Sequence, residues 1–290
     1  MHYDLPLYRP PSEADSLILQ ITLGCAHNRC TFCSMYRGKR FTARRIEQVE
    51  QEIAAARQAL GGGTVRRIFL ADGDAMCLST RRLLAILEPL NAAFPALQRV
   101  GIYANARDVL RKSPQELSRL RQQKLRMLYI GLESGDDETL AAVDKGATVD
   151  ELVEAVQRAQ AAGMSCSTMV LIGLGGRTNS LRHARASALA VNRMEPTYTA
   201  LLTYTPTPGA PLYDAITRGE FELPAPLGSL REIRAFLGAL TCRTYFTCNH
   251  ASNYLPLRGK LPGSRDALLA LLDAALDGQI PLRPEIQRGL

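Results

Sequence analysis

Three cysteines fall within nine residues of this chain, Cys25, Cys30 and Cys33 in the string GCAHNRCTFCSMYRGKRF. Three thiolates on one loop suit three corners of a four-iron cluster, which normally takes four protein sulfurs. A cluster held by three leaves one iron open, and an open metal position is what catalysis needs and a structural site lacks. The alternative for the same sulfurs is a structural zinc completed by His27, Cys77 or a C-terminal cysteine. Zinc loops pair Cys-x2-Cys with a second such pair or with two histidines. No second pair is present: Cys242 and Cys248 have five residues between them, with His250 close by. Those two cysteines alone do not supply the ligands of a second cluster.

The elements that must position this loop are legible around it. Leu17–Leu23 is a compact apolar run, read as a buried strand that delivers the first cysteine. After the loop, helical patterns (46–60, 81–94, 150–162, 180–193, and one opened by Ser113-Pro114 as N-cap and first turn) alternate with apolar runs (66–71, 98–103, 126–132, 165–172, 197–204). Six strand–helix alternations with turn signals at nearly every junction predict a parallel sheet with helical crossovers. Polar and glycine-rich groups follow the strands: Asp72-Gly73-Asp74, Glu133-Ser134-Gly135, and Gly173 after Ile172. In (β/α) barrels the active site lies on that face. An open doubly wound sheet shows the same alternation, and periodicity does not separate the two. Asp72, Asp74 and Glu133 have a plainer reading as helix caps, and Lys145 as a solvated lysine.

After Tyr204 the composition shifts. TPTPGAPLYDAITRGEFELPAP reads as a long loop, residues 229–240 and 264–276 as amphipathic helices, and the stretch between them as polar and aromatic. The organisation expected is a leader at 1–16, a core at 17–205, and a mainly helical extension at 206–290 that closes the barrel. Asn249, His250, Asn253 and Tyr254 concentrate hydrogen-bonding groups there and are the candidate catalytic or substrate-facing residues; a structured polar turn is the plainer reading.

Composition narrows the setting. With 46% hydrophobic and 22% charged residues a sizeable core is expected and widespread disorder is not. No apolar run reaches the ~18 residues of a membrane span. The start MHYDLPLYRPPSEAD lacks the basic and apolar regions of a signal peptide, so the expected location is cytoplasmic. Seven cysteines in a reducing compartment favour metal binding or catalysis over disulfides. A net charge of +7 fits an acidic partner, whether nucleic acid, anionic substrate or acidic redox protein. Arg37, Lys39, Arg40, Arg44 and Arg45 follow the cysteine loop, either as a solvated stretch or as a docking patch for an acidic electron donor.

The cysteine triplet, with Phe32 just before its third member, resembles the radical S-adenosylmethionine (SAM) superfamily, whose usual Cys-x3-Cys-x2-Cys has one residue fewer in the first gap than the Cys-x4-Cys-x2-Cys here. It is similar to an uncharacterised subgroup with the longer gap. The resemblance spans roughly residues 17–205 and implies an α/β fold, a partial (β/α)6 TIM-like barrel. It implies a [4Fe–4S] cluster on Cys25, Cys30 and Cys33. Asp72-Gly73-Asp74 stands where the family often has Gly-Gly-Glu meeting the SAM amino group, and Glu133-Ser134 where it places a ribose contact. Lys145, twelve residues after Glu133, matches a basic residue that meets the SAM carboxylate in coproporphyrinogen dehydrogenase-like members. Ile172 and Gly173 match the strand-five motif that packs on adenine; the acidic residue some relatives carry next is absent, with Gly176 and Arg177 in its place. The chemistry implied is reductive cleavage of SAM to a 5′-deoxyadenosyl radical that abstracts hydrogen from a small-molecule substrate, with a flavodoxin or ferredoxin as donor. Two alternatives stay open: a radical SAM enzyme modifying tRNA, and a non-catalytic zinc-binding scaffold.

Overall fold

The computed structural model describes residues 3–288; residues 1–2 of the expected leader and 289–290 of the expected extension lie outside the described residues. Eight strands form one sheet whose spatial order follows the chain: β1 (Leu17–Gln20), β2 (Arg67–Ala71), β3 (Arg99–Ala104), β4 (Leu125–Glu133), β5 (Ser165–Ile172), β6 (Tyr198–Thr203), β7 (Thr244–Cys248) and β8 (Leu257–Leu261). In this sheet β1 with β2, β2 with β3, β3 with β4, β5 with β6 and β6 with β7 pair in parallel, and β7 with β8 antiparallel. The longer helices between the first six strands are α1 (Ile46–Leu60), α2 (Thr80–Ala93), α3 (Pro114–Gln122), α4 (Val149–Ala161) and α5 (Gly176–Met194); α6 (Pro226–Ala239) and α7 (Arg265–Leu276) follow. Parallel strands need such crossovers, because a tight turn cannot return the chain to the same end of the sheet. This is the α/β, mainly parallel architecture expected, with helices in its C-terminal part.

The chain divides into two compact units, 1–28 with 35–130 and 155–166, and 29–34 with 131–154 and 167–290. In the first unit β1, β2 and β3 pair in parallel, with Leu17 opposite Ile68 and Ile68 opposite Val100. These strands are covered on both faces, so they read as unbroken apolar runs: Ile68, Phe69, Leu70 and Ala71 are all fully buried. Helix α1 buries Val49, Ile53 and Ala56 on one stripe. Helix α3 starts at a capping box, the Ser113 hydroxyl accepting from the Glu116 amide while the Glu116 carboxylate accepts from the Ser113 amide. The leader is not merely extended. Glu13 is fully buried, its carboxylate accepting from Arg99 at 2.7 Å and from the Tyr129 and Ser16 hydroxyls.

In the second unit β5 pairs with β6, β6 with β7, and β7 antiparallel with β8. The extension thus carries two strands as well as its helices. Thr244–Cys248 alternates buried and half-buried positions, so its inner residues join a core while its outer ones stay polar. The stretch read as a long loop contains a helix at Pro211–Thr217, with proline at its first position, where no amide is needed. Helix α6 packs on α5 and buries Leu230, Ile233, Phe236 and Leu237.

Candidate active site

The cysteine loop enters both units, and each holds its part by hydrogen bonds of its own. In the first, Gly24 has φ +72 and Asn28 φ +45, so the loop turns through the left-handed region on both sides of Cys25. The Asn28 side chain donates to the Tyr36 carbonyl at 2.9 Å. Tyr36 is buried and donates its hydroxyl to Asp72 at 2.6 Å; Gln20 donates to the other oxygen of the same carboxylate at 3.0 Å. Burial, and then the adjacent Asp72, push the Tyr36 phenol well above its usual range, so it stays a donor. Burial also raises Asp72, against the pull of its donors Tyr36 and Gln20. Asp72 therefore clamps the loop to the end of β2.

Next to that clamp, a Cβ on Gly73 would lie 2.4 Å from the Tyr36 ring and 3.1 Å from the Cys25 Cβ. Only glycine lets the strand-end backbone come this close to the first cysteine. Asp74 is fully buried, and one carboxylate oxygen, Oδ1, has no partner among the described residues, while Oδ2 accepts from Arg107 at 3.2 Å. Burial, and then the neighbouring Asp108, hold the Asp74 carboxyl above the usual carboxylate range. A polar atom left bare in a buried place is the mark of a missing partner. Burial and then Asp74 push Cys77 up to about 12, which keeps it a thiol.

In the second unit the Thr31 amide donates to the Val143 carbonyl and the Thr31 carbonyl accepts from the Leu212 amide, both at 2.9 Å. The unforeseen helix at Pro211–Thr217 thus holds Thr31, the residue after Cys30. Phe32 packs on a cluster of Val143, Leu174, Tyr204 and Leu212. Tyr204 is pushed up to about 12, by burial first and then by Cys33. The end of β4 makes a three-residue turn, Ser134 amide to Leu132 carbonyl at 2.7 Å, with Glu133 at its centre at φ +60. That conformation is strained for a non-glycine residue. It places Glu133 Oε1 2.9 Å from Lys145 Nζ, with the two side chains 12% and 7% exposed. Ser134 is buried deeper. Its hydroxyl meets His183 Nδ1 at 2.8 Å and accepts from the Asp136 amide at 3.0 Å.

A cavity of about 200 Å³ opens at the ends of β5 and β6, lined by Ile172, Gly173, Tyr204, Ser229, Tyr254 and Arg288 among others. The hydroxyls of Tyr204 and Thr205, both at this cavity, are buried without a partner among the described residues. The polar turn from Asn249 to Tyr254 is mostly a brace. Asn253 is fully buried, accepts from the Thr203 amide and hydroxyl at 2.8 and 2.9 Å, and donates to the Leu201 carbonyl at 2.8 Å. His250 faces Ser252 at 2.9 Å and does not line the cavity; burial, then the cation of Arg283, lower it. Asn249 does not line it either, but Tyr254 does. Arg288 stacks 3.6 Å from the Tyr254 ring centre.

The seven cysteines form no disulfide. Cys25, Cys30 and Cys33 are each partly exposed, whereas Cys166, Cys242 and Cys248 are buried. Among the described residues no three His, Cys, Asp or Glu side chains converge tightly enough for a single metal ion. Burial pushes Cys242 up to about 11 and Cys248 up to about 12, so both remain thiols. Sequence reasoning missed His183 and Glu232, which join Ser134 and Gly173 in a buried network.

Residues 19–185, more than half of the chain, match the Radical SAM superfamily. An uncharacterized methyltransferase of Pyrococcus horikoshii is 23% identical over 204 residues, covering 68% of this chain and 41% of its own length. Methylornithine synthase shares the fold at a TM-score of 0.55 with 17% identity, over 78% of this chain and 63% of that one. Coproporphyrinogen III oxidase from Escherichia coli does so at 0.59 with 20% identity, over 77% and 52%. The chain spans less than two thirds of the length of each of these relatives. The shared fold is the TIM-like barrel type that the resemblance implies. The superfamily match does not favour the tRNA-modifying alternative. No helix among the described residues is long and apolar enough to cross a membrane.

Proposed function

This chain belongs to the radical SAM superfamily, and we propose that it is a radical SAM enzyme whose Cys25, Cys30 and Cys33 hold the [4Fe–4S] cluster that members use with SAM. The observation that carries the reading is the approach of Gly73 to Cys25, where a side chain would strike the Tyr36 ring and crowd the cysteine at 3.1 Å. A strand-end backbone pressed against a cluster cysteine is placed to meet whatever the open iron holds. In the first unit the bare Asp74 Oδ1 beside that turn fits a hydrogen-bond donor such as the SAM amino group, and in the second the bare Tyr204 and Thr205 hydroxyls at the cavity fit a polar ligand.

The residue roles are those that the resemblance to the superfamily implies, and their surroundings support them. Gly73 and Asp74 would meet the SAM amino group, and Asp72 holds their turn through Tyr36 and Gln20. Lys145 would take the carboxylate. Glu133 is assigned the ribose, because the Ser134 hydroxyl is already engaged by His183 and Asp136. Ile172 and Gly173 would pack on the adenine, with Phe32 on the adjoining apolar cluster. When bound, the cluster and SAM supply one-electron reductive cleavage and hydrogen-atom abstraction; the protein positions them and excludes water. The substrate is assigned as a small molecule. Arg37, Arg40 and Arg45 are exposed and form the docking patch for an acidic flavodoxin or ferredoxin; Lys39 and Arg44 are already paired with Asp4 and Glu52.

Anaerobic reconstitution tests this reading. About four irons per chain, an absorption near ~400 nm bleached by dithionite, and 5′-deoxyadenosine from SAM plus reductant are expected. Cys25→Ala, Cys30→Ala and Cys33→Ala should each abolish the product. Protein that takes up no iron, or that loads iron and yields no 5′-deoxyadenosine, overturns it.

A further inference from the structure

Glu232 is fully buried on α6, beyond the residues that match the family. A carboxylate taken out of water is costly unless its oxygens are hydrogen-bonded. Both of its oxygens are engaged: Oε1 accepts from the Gly173 amide at 2.7 Å, and Oε2 accepts from the Ser180 hydroxyl. Among the described residues the one recorded ion-pair contact of Glu232 is with His183. His183 Nε2 is 3.5 Å from Oε1 but gives its proton to the Leu171 carbonyl at 3.1 Å, and burial lowers that imidazole to about 4.

One partner of this side chain, Gly173, belongs to the cavity wall. Gly173 sits at φ +93 in the turn after β5, and Ile172 and Gly173 line the cavity wall. Ser229, one helical turn before Glu232 on the same face of α6, lines it too. Through His183 the network continues to Ser134 at the end of β4.

We propose that Glu232 is a positioning residue for SAM: by accepting from the Gly173 amide it fixes the turn after β5 that forms the wall of the cofactor pocket. A residue of the C-terminal extension thereby holds a turn that belongs to the matched region. The proposal rests on the functional reading above. It differs from a purely structural role, in which the carboxylate only ties α6 to α5.

Two substitutions separate the roles. Glu232→Gln keeps both contacts, its amide oxygen accepting from Gly173 and its nitrogen donating to Ser180, which then accepts. Glu232→Ala removes both. On reconstituted protein, SAM binding by equilibrium dialysis, kcat and KM for 5′-deoxyadenosine formation, iron content and thermal midpoint are measured. Glu232→Ala should raise Kd and KM for SAM about tenfold with kcat within about threefold, and Glu232→Gln should stay within about threefold of the unaltered protein. An iron-loaded Glu232→Ala protein that binds SAM normally overturns the proposal, and so does equal impairment of the two variants. If Glu232→Ala does not fold, Ser180→Ala, which removes one contact, should raise KM about threefold, and no rise overturns the proposal. Unaltered protein that loads iron yet neither binds nor cleaves SAM would sink the functional reading itself, a different result from normal binding lost in no variant.

Discussion

Lys145 Nζ stands 2.9 Å from Glu133 Oε1, and the backbone at Gly131 leaves that pair its space: a Cβ there would lie 1.8 Å from the same oxygen and 2.9 Å from the same nitrogen. The pair is nearly buried, so removing one member strands the other charge away from water. Lys145→Met is expected to lower stability by roughly 2–3 kcal/mol and to raise the KM for SAM. Adding Glu133→Gln to it should return most of the stability and none of the SAM affinity, because the uncharged pair no longer strands a charge. Urea unfolding and SAM titration of both variants check this; a double variant that binds SAM normally would show that the pair is only structural.

The pH dependence of stability offers a second check. Burial raises Glu232 from 4.5 to about 7 despite donors at both oxygens. Between those values the folded state keeps a proton that the unfolded state has lost, so stability falls as pH rises from about 4.5 to about 7 and stays low above it. Glu232→Gln lacks this loss. Its stability relative to the unaltered protein should therefore grow by roughly 2–3 kcal/mol between pH 5 and pH 8. His183 shifts the other way, lowered to about 4, but it is present in both proteins and cancels in the difference. Urea midpoints at the two pH values read the effect, and a pH-independent difference would count against a titrating Glu232.

The exposed cations beside the cysteine loop give a third. Arg37→Glu combined with Arg40→Glu should slow cluster reduction by an acidic flavodoxin about tenfold at low salt, with the gap closing near ~0.5 M salt. Stopped-flow bleaching of the cluster absorption measures it. Equal rates at low salt would place the docking surface elsewhere. Lys39, which the sequence groups with these residues, belongs to a different structure, since its ammonium binds Asp4 Oδ1 at 2.7 Å.

How much of this was legible beforehand depended on whether the signal was local. Ile46–Leu60 and Ser165–Ile172 were readable to the residue, because one has a helical apolar stripe and the other a buried run bounded by glycine turns. Thr244–Cys248 and Leu257–Leu261 were missed. Their outward positions carry Tyr, Thr, Arg and Lys, and the alternation is easily taken for polar loop. The cysteines, Gly73 and Gly173 stood out by type and spacing. What Asn253 does was not local: it reads as a reactive amide in a polar turn, yet its side-chain hydrogen bonds go to the end of β6. Glu232 did leave a trace. It lies three residues after Ser229 and next to Ile233 on the stripe that continues to Phe236, an acid written into an apolar face. Its partners Gly173 and Ser180, more than fifty positions away, could not be named from that trace.

The buried acid ahead of the first strand bears on how this protein can be trimmed. Glu13 lies outside the span 19–185 that the family defines, yet it accepts from Arg99 and Tyr129 beneath the sheet. A version cut to begin at the family boundary would keep all three loop cysteines and still leave a guanidinium and a phenol facing an empty socket. Shortened versions of this chain should therefore start upstream of Pro11, where the short helical turn carrying that acid begins.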